Sequence, residues 1–212
     1  RLKDLAPLKK FQEELLQLLQ WAHELRQTLR ISKPNKRPPS LVTQLVVGAT
    51  DETDKEILQT SSYLFSRLNL SRIYYSPFSP IPNTPLENLP PENPIRPFRL
   101  YQASFLIRDY GFSPHDFHFN EKGNLPLDQD PKTLWARTHL LNAPVELNKA
   151  DLSLLLRIPG IGPKTARRVV EYRRKSKIKS EADLRQLGIP VNQVSPFVLL
   201  NGKKITTQPA LW

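Results

Sequence analysis

The sequence contains no cysteine, and no other absence excludes as much. Without a thiol there is no disulfide, no thiolate nucleophile and no thiolate-bound zinc. No iron–sulfur cluster can be held by this chain alone. A cysteine-free chain fits a reducing compartment, and a cytoplasmic location is expected. No run of 18 apolar residues exists either, so nothing is built to cross a bilayer as a helix and no membrane partner is expected. The chain opens on Arg1 with no signal-peptide pattern, as a trimmed product or a segment of a longer protein would. There is no Ser/His/Asp spacing, no phosphate-binding P-loop and no Gly-rich dinucleotide fingerprint. Glycine is scarce, with 7 residues against 21 prolines, and many of the prolines fall between residues 77 and 97.

What the chain has is positive charge. The formal net charge is +11 over 212 residues, and residues 145–212 hold thirteen Lys/Arg against five Asp/Glu. Charge gathered in one small region is the footprint of a surface for a polyanion, or else of a solvated face.

Along the chain, residues 4–30 read as one long helix, with Asp4 as cap. Its apolar seam is Leu8, Phe11, Leu15, Leu18, Ala22, Leu25 and Leu29. That seam suits either packing in its own domain or a docking face. The run "LVTQLVVGAT" (41–50) reads as a strand, and "DETDKEILQTSSYLFSRL" as a helix with Thr53 and Glu56 in capping-box spacing. "SRIYYSPF" (71–78) reads as a second strand. Strand, helix, strand is a βαβ unit with parallel strands. A parallel sheet wants both faces covered, so either this sheet is tiny or its other strands lie outside this chain.

Residues 79–97 are a proline-rich connector. Helices are expected over 98–111, stopped by Gly111, and over 130–141, with Asp130 as cap and Pro131 at the first position. His115 and His118 flank Asp116 as a metal pair lacking an evident third ligand. No metal site is expected.

The stretch "LRIPGIGPKTARRVV" (156–170) carries the most information. A helix over 148–158, with Asn148 as cap, leads into "PGIG", and a second helix starts at Pro163. Gly160 and Gly162 can take φ > 0 and admit close backbone approach. They also leave the first amides of the second helix open, an anion site by hydrogen bonding and by dipole. Lys164, Thr165, Arg167 and Arg168 lie in its first turn and a half, and Arg173 and Arg174 extend the basic run. Ala150-Asp151-Leu152 recurs as Ala182-Asp183-Leu184, 32 residues on. The second copy turns through "GIPVN", so one hairpin is phosphate-competent and one degenerate.

"LLRIPGIGPKTARRVV" resembles a helix-hairpin-helix motif, a sequence-nonspecific DNA-binding element. The resemblance implies that the amides of Gly160, Ile161 and Gly162 grip duplex phosphates. Lys164, Thr165 and Arg168 would stand at the backbone, with a monovalent cation at the hairpin carbonyls of Ile158 and Gly160; Arg167, Arg173 and Arg174 of the same basic run are expected to join them in DNA binding.

The segments "TQLVVGATDETDKEIL", "RIYYSPFSPIP", "RLYQASFLIRDYGF" and "LPLDQDPKTLWA", together with the hairpin, are similar in order to the carboxy-terminal half of the radical SAM DNA modification/repair protein family. In that family a barrel holding a [4Fe–4S] centre on CxxxCxxC cleaves S-adenosylmethionine. The resemblance implies that this chain retains the last two barrel strands. Gln44, Gly48, Thr50 and Asp51 would then be the surviving positions toward S-adenosylmethionine, a strand end and helix cap being the alternative. The sequence departs from the family pattern at "IRPFRLYQASF" and "KRPPSLV".

The expected fold is therefore α+β and mostly helical. Residues 1–97 form a partial barrel-like βαβ region, 98–144 a helical linker, and 145–205 a small all-α tandem hairpin domain. Three functions follow: non-catalytic duplex-DNA binding, a subunit of a split enzyme whose cysteine-bearing half is another chain, or an interaction protein docking through helix 4–30.

Overall fold

The computed structural model describes residues 11–205. Contacts divide the chain into two units, Arg1–Ser104 with Phe119–Leu127, and Phe105–His118 with Asp128–Trp212. Residues 98–144 are thus shared between the units and do not stand as a linker of their own.

In the first unit, α1 (Phe11–Ser32) precedes β1 (Val42–Val47), α2 (Asp54–Leu68) and β2 (Arg72–Pro77). The strands are parallel, in register from Val42 opposite Arg72 to Val47 opposite Pro77, as the βαβ pattern requires. Thr53 and Glu56 form the expected capping box, and α2 buries Ile57, Leu58, Leu64 and Leu68. Val47, Ile73 and Tyr75 make the covered face of the sheet. On the opposite face Val42, Val46 and Tyr74 are exposed. These two strands are the whole of this sheet among the described residues.

Helix α1 sits differently from its seam. Asp4, Leu8 and the side chains of Phe11 and Leu15 lie outside the described residues. Leu18 and Leu25 are exposed, and Leu19 is buried instead. The cause is polar. His23 Nδ1 lies 2.8 Å from the Leu68 carbonyl, and Arg26 donates to the Asn69 carbonyl at 3.1 Å. The end of α2 leaves carbonyls without helical partners, and turning His23 and Arg26 onto them rotates the apolar seam partly into solvent. Apolar periodicity could not register that demand.

The strand end after β1 is closed by carboxylates. Glu52 accepts from the amides of Gly48 and Thr50 and from the Thr50 hydroxyl. Asp54 is fully buried and accepts from Arg96 Nε at 2.8 Å and from the Leu125 amide at 2.8 Å. Burial raises the Asp54 pKa, against the lowering effects of the Leu125 amide and of Arg96.

Helix α3 (Ile95–Tyr110) begins three residues earlier than expected and stops at Gly111, φ +72°. In the second unit, α4 (Pro131–Leu140) is capped by Asp130, which accepts from the Thr133 amide at 2.8 Å. Beyond it come β3 (Val145–Glu146), α5 (Leu152–Leu155), α6 (Pro163–Lys175), α7 (Glu181–Gln186), α8 (Val191–Val194), β4 (Val198–Leu200) and β5 (Lys203–Lys204). The helical hairpins lie between β3 and β4. These strands pair in parallel, Val145 with Val198 and Glu146 with Leu199, and β5 adds antiparallel. This clasp was not anticipated, because strands of two and three residues carry no periodicity. The core beneath is formed by Leu147, Leu155, Ile158, Ile161, Val169 and Leu184, among others.

Candidate nucleic-acid interface

Helix α5 starts later than its sequence suggests. Asp151, not Asn148, is the cap, accepting from the Leu154 amide at 2.7 Å. Asn148 is engaged elsewhere. Its Oδ1 accepts from the Ile178 amide and its Nδ2 donates to the Ile178 carbonyl, both at 2.9 Å. A side-chain amide that satisfies both backbone groups of a buried residue is not free to cap.

The turn that follows sorts its two glycines. Gly160 has φ +82°. A Cβ there would stand 2.8 Å from Pro190 Cγ and 3.2 Å from Val194 Cγ1, so both conformation and space demand glycine. Gly162 has φ −99° and ψ 175°, an extended conformation open to any residue. The expectation of positive φ therefore holds at Gly160 alone. What Gly162 provides is a bare cap: as N-cap of α6 it makes no side-chain hydrogen bond. Pro163 follows at the first helical position. The leading amides of a 13-residue helix are thus left without a side-chain cap, at the positive end of its dipole.

That end opens on a cleft of about 720 Å³ lined by Arg108, Asp109, Gly162, Pro163, Lys164, Thr165 and Arg167. Lys164, Arg167, Arg168 and Arg174 are exposed. Arg173 is half-buried and donates to the Leu147 carbonyl at 3.0 Å, a contact inside the module. Arg168 reaches Thr165 Oγ1 at 3.3 Å. The Ile161 amide donates to the Ile158 carbonyl at 3.1 Å, so both of those groups are taken up by the turn itself. Ala166 is fully buried, as a close helix crossing requires.

Sequence reasoning overlooked Arg108 and Asp109, which form a two-point ion pair at 2.8 and 2.7 Å on the rim of this cleft. They lie well upstream of the motif, outside the stretch at 156–170, and nothing local marks them. Arg157, inside the motif, is spent on structure. Its guanidinium lies 3.9 Å from the Phe112 ring centroid and 4.9 Å from that of Trp135, and it pairs with Asp116 at 3.0 Å. That pairing also occupies the carboxylate between His115 and His118. Among the described residues no three His, Cys, Asp or Glu side chains are grouped to hold a metal ion.

The second hairpin is present, in a register different from the expected one. Gly188 has φ +71° and stands 28 residues after Gly160, with Ile161 and Ile189 both buried behind the turns. The 32-residue repeat of Ala-Asp-Leu misleads, since Asp151 is a helix cap whereas Asp183 lies three residues past its cap, Ser180. The two hairpins pack reciprocally. A Cβ on Gly160 would meet Pro190 and Val194, and one on Gly188 would meet the Arg168 guanidinium at 3.0 Å. Each turn faces the second helix of the other hairpin.

The positions expected toward S-adenosylmethionine lie in the first unit. Gln44 donates to Ser76 Oγ at 2.7 Å across the exposed sheet face, while the Gly48 and Thr50 amides are held by Glu52 as described; Asp51 is exposed. A chain with no cysteine offers no thiolate for the [4Fe–4S] centre, so the residues present do not fit that group.

A family described as a helix-hairpin-helix motif matches residues 142–188. No curated protein and no solved structure matches the chain. The match covers the first hairpin and runs through α7 to Gly188, ending before α8, and no radical SAM family matches any part of the chain. No described helix is long and apolar enough to cross a membrane.

Proposed function

We propose that the protein is a non-catalytic, sequence-nonspecific binder of duplex DNA that seats a backbone phosphate at the start of α6. One observation carries this reading. Inside the matched hairpin motif, a helix with no side-chain cap opens on a cleft whose rim holds Lys164, Arg167 and Arg108. Backbone amides and flexible cations recognise phosphate and leave bases unread. Lys164, Thr165, Arg167 and Arg168 flank the anion, Arg174 adds longer-range attraction, and Gly160 with Ile161 shapes the turn.

Fluorescence anisotropy with a labelled duplex over a series of salt concentrations tests the reading. Affinity should fall steeply and linearly on a log–log plot, by about 0.9 log units per phosphate contact for each decade of salt. An unrelated duplex sequence should compete equally well. No binding at low salt, or binding indifferent to salt, would overturn it.

A second reading rests on the first unit. Val42, Val46 and Tyr74 leave one face of a parallel sheet bare, and parallel sheets are ordinarily covered on both faces. We propose that a further chain covers this face, as the radical SAM resemblance implies. On this view α1, with Leu18, Trp21 and Leu25 exposed, offers the same partner a second contact. Light scattering of the isolated chain discriminates: self-association abolished by Val46→Lys supports an apolar contact face, and a stable monomer at high concentration opposes it.

A further inference from the structure

The DNA-binding reading leaves one buried charge unexplained. Lys132 lies in the first turn of α4, ten residues upstream of the matched motif. A cation is disfavoured there, because the start of a helix is its positive end. Burial is unfavourable for an ammonium as well, yet Lys132 is only 9% exposed. Its Nζ donates to the Ile161 carbonyl at 2.7 Å and lies 4.5 Å from the Tyr110 ring centroid. The ammonium is thus fixed on the carbonyl between the two hairpin glycines, with an aromatic ring beside it to favour the charge.

The geometry of a peptide group transmits that contact. The described chain has no cis peptide bond. In a trans peptide, C=O and N–H point in opposite directions across one plane. The carbonyl of Ile161 and the amide of Gly162 belong to the same plane. Holding the carbonyl inward, on Lys132, turns the Gly162 N–H outward, and Gly162 lines the basic cleft. Among the described residues nothing accepts from that amide. A cation on the carbonyl also draws electrons through the peptide and strengthens the N–H as a donor.

We propose that Lys132 is a positioning residue for phosphate: its ammonium, held on the Ile161 carbonyl, aims and polarises the Gly162 amide toward the anion. The inference rests on the DNA-binding reading and assigns the hairpin a built-in cation. Lys132 itself touches no phosphate.

The charge state of Lys132 supplies a readout. Burial pushes its pKa down to about 7, opposed by the Asp130 carboxylate. The groups facing it are Tyr110 from α3, whose hydroxyl pKa is raised by burial and then by Asp109 and Asp130, and Asp130 at the head of α4. The hairpin presents only a carbonyl. As pH rises from 6 to 9, Lys132 loses its proton and the amide loses its polarising partner, so DNA affinity should fall. Stability should move the other way. Over the interval from about 7 to the ordinary lysine value near 10.5, the unfolded chain binds more protons than the folded one, so unfolding becomes less favourable as pH increases.

The experiment compares the full chain with Lys132→Met, which keeps an unbranched side chain one atom shorter and removes the charge. Amide NMR across pH 6–9 follows Gly162, and anisotropy with a labelled duplex follows binding. In the wild type the Gly162 resonance should titrate with a midpoint near 7, and affinity should fall by about tenfold, the scale of one charge-assisted hydrogen bond. Lys132→Met should bind about tenfold more weakly at pH 6, show no pH dependence and keep the same salt slope, because no phosphate contact is lost. A Gly162 amide that does not titrate would overturn the coupling whatever happens with DNA. Equal affinity of both proteins at pH 6 would overturn the positioning role while leaving DNA binding intact. A titrating Gly162 in a protein without affinity for duplex DNA would instead sink the DNA reading, and this role with it.

Discussion

Replacing Lys164 and Arg167 together by alanine should flatten the salt dependence of duplex binding. Both side chains are exposed on the rim of the cleft at the start of α6, and neither supports the core. Each cation that neutralises a phosphate contributes about 0.9 to the slope of log affinity against log salt. The double variant should therefore lose about 1.8 from that slope and bind about 100-fold more weakly at low salt, at roughly 1–1.5 kcal/mol per lost charged contact. Its thermal midpoint should stay within a few degrees of the wild type, since exposed charges away from packed contacts contribute little to stability. Arg173 serves as the control. It is bonded to the Leu147 carbonyl, so Arg173→Ala should lower stability and leave the salt slope unchanged. A double variant that binds with the wild-type slope would place the interface elsewhere on this basic chain.

The second large effect divides the two hairpin glycines. Gly160→Ala should act on the fold. Its φ of +82° costs an L-residue about 1–2 kcal/mol, and the new methyl would press on the Pro190 ring at 2.8 Å. Overpacking of that kind adds about 1–3 kcal/mol, because a ring built into the main chain cannot swing away. The expected loss is about 2–5 kcal/mol, a drop in thermal midpoint on the order of 10 °C or more for a unit of this size.

Gly162→Asp should do the reverse. Its extended backbone accepts a side chain, with a Cβ 3.3 Å from the Tyr110 hydroxyl that must give slightly. A carboxylate at an N-cap takes the helix amides for itself and stabilises the helix by a few tenths of a kcal/mol relative to glycine. It also puts a negative charge where the phosphate should sit. Stability is expected to hold or rise while DNA binding is lost. A Gly162→Asp protein that still binds duplex DNA with wild-type affinity would remove α6 from the interface.

Some of this was written plainly in the chain. The βαβ unit was legible because a β-branched run, a capping box and a second strand are local signals; the parallel direction of the strands follows from them, whereas the register of Val42 with Arg72 is known from the fold alone. The hairpin was legible because a Gly-x-Gly-Pro beside a basic helix is a compact and specific pattern, and the family match falls on it. Other features were set by partners distant in sequence. Leu18 and Leu25 read as part of one apolar seam, for packing or for docking, yet both are exposed and Leu19 is buried while His23 and Arg26 reach the end of α2. Asn148 has the chemistry of a cap, but Ile178, thirty residues away, claims it. The repeat of Ala-Asp-Leu looked like the axis of the duplicated hairpin, whereas the structural equivalence runs through Gly160 and Gly188.

The cleft was half legible. Its α6 wall followed from the motif, and Arg108 and Asp109 on the opposite rim did not. Lys132 left a faint trace, a lysine placed in the first turn of a helix against the dipole. Only the fold shows that its ammonium meets the Ile161 carbonyl.

The most direct test of where phosphate sits is an amide NMR titration of the full chain with a short duplex at low salt. The account predicts that the resonances of Gly162, Lys164 and Thr165 shift first and furthest, and that added salt returns them to their free positions. Shifts centred on the second hairpin around Gly188, or on the sheet of the first unit, with the start of α6 unmoved, would contradict it.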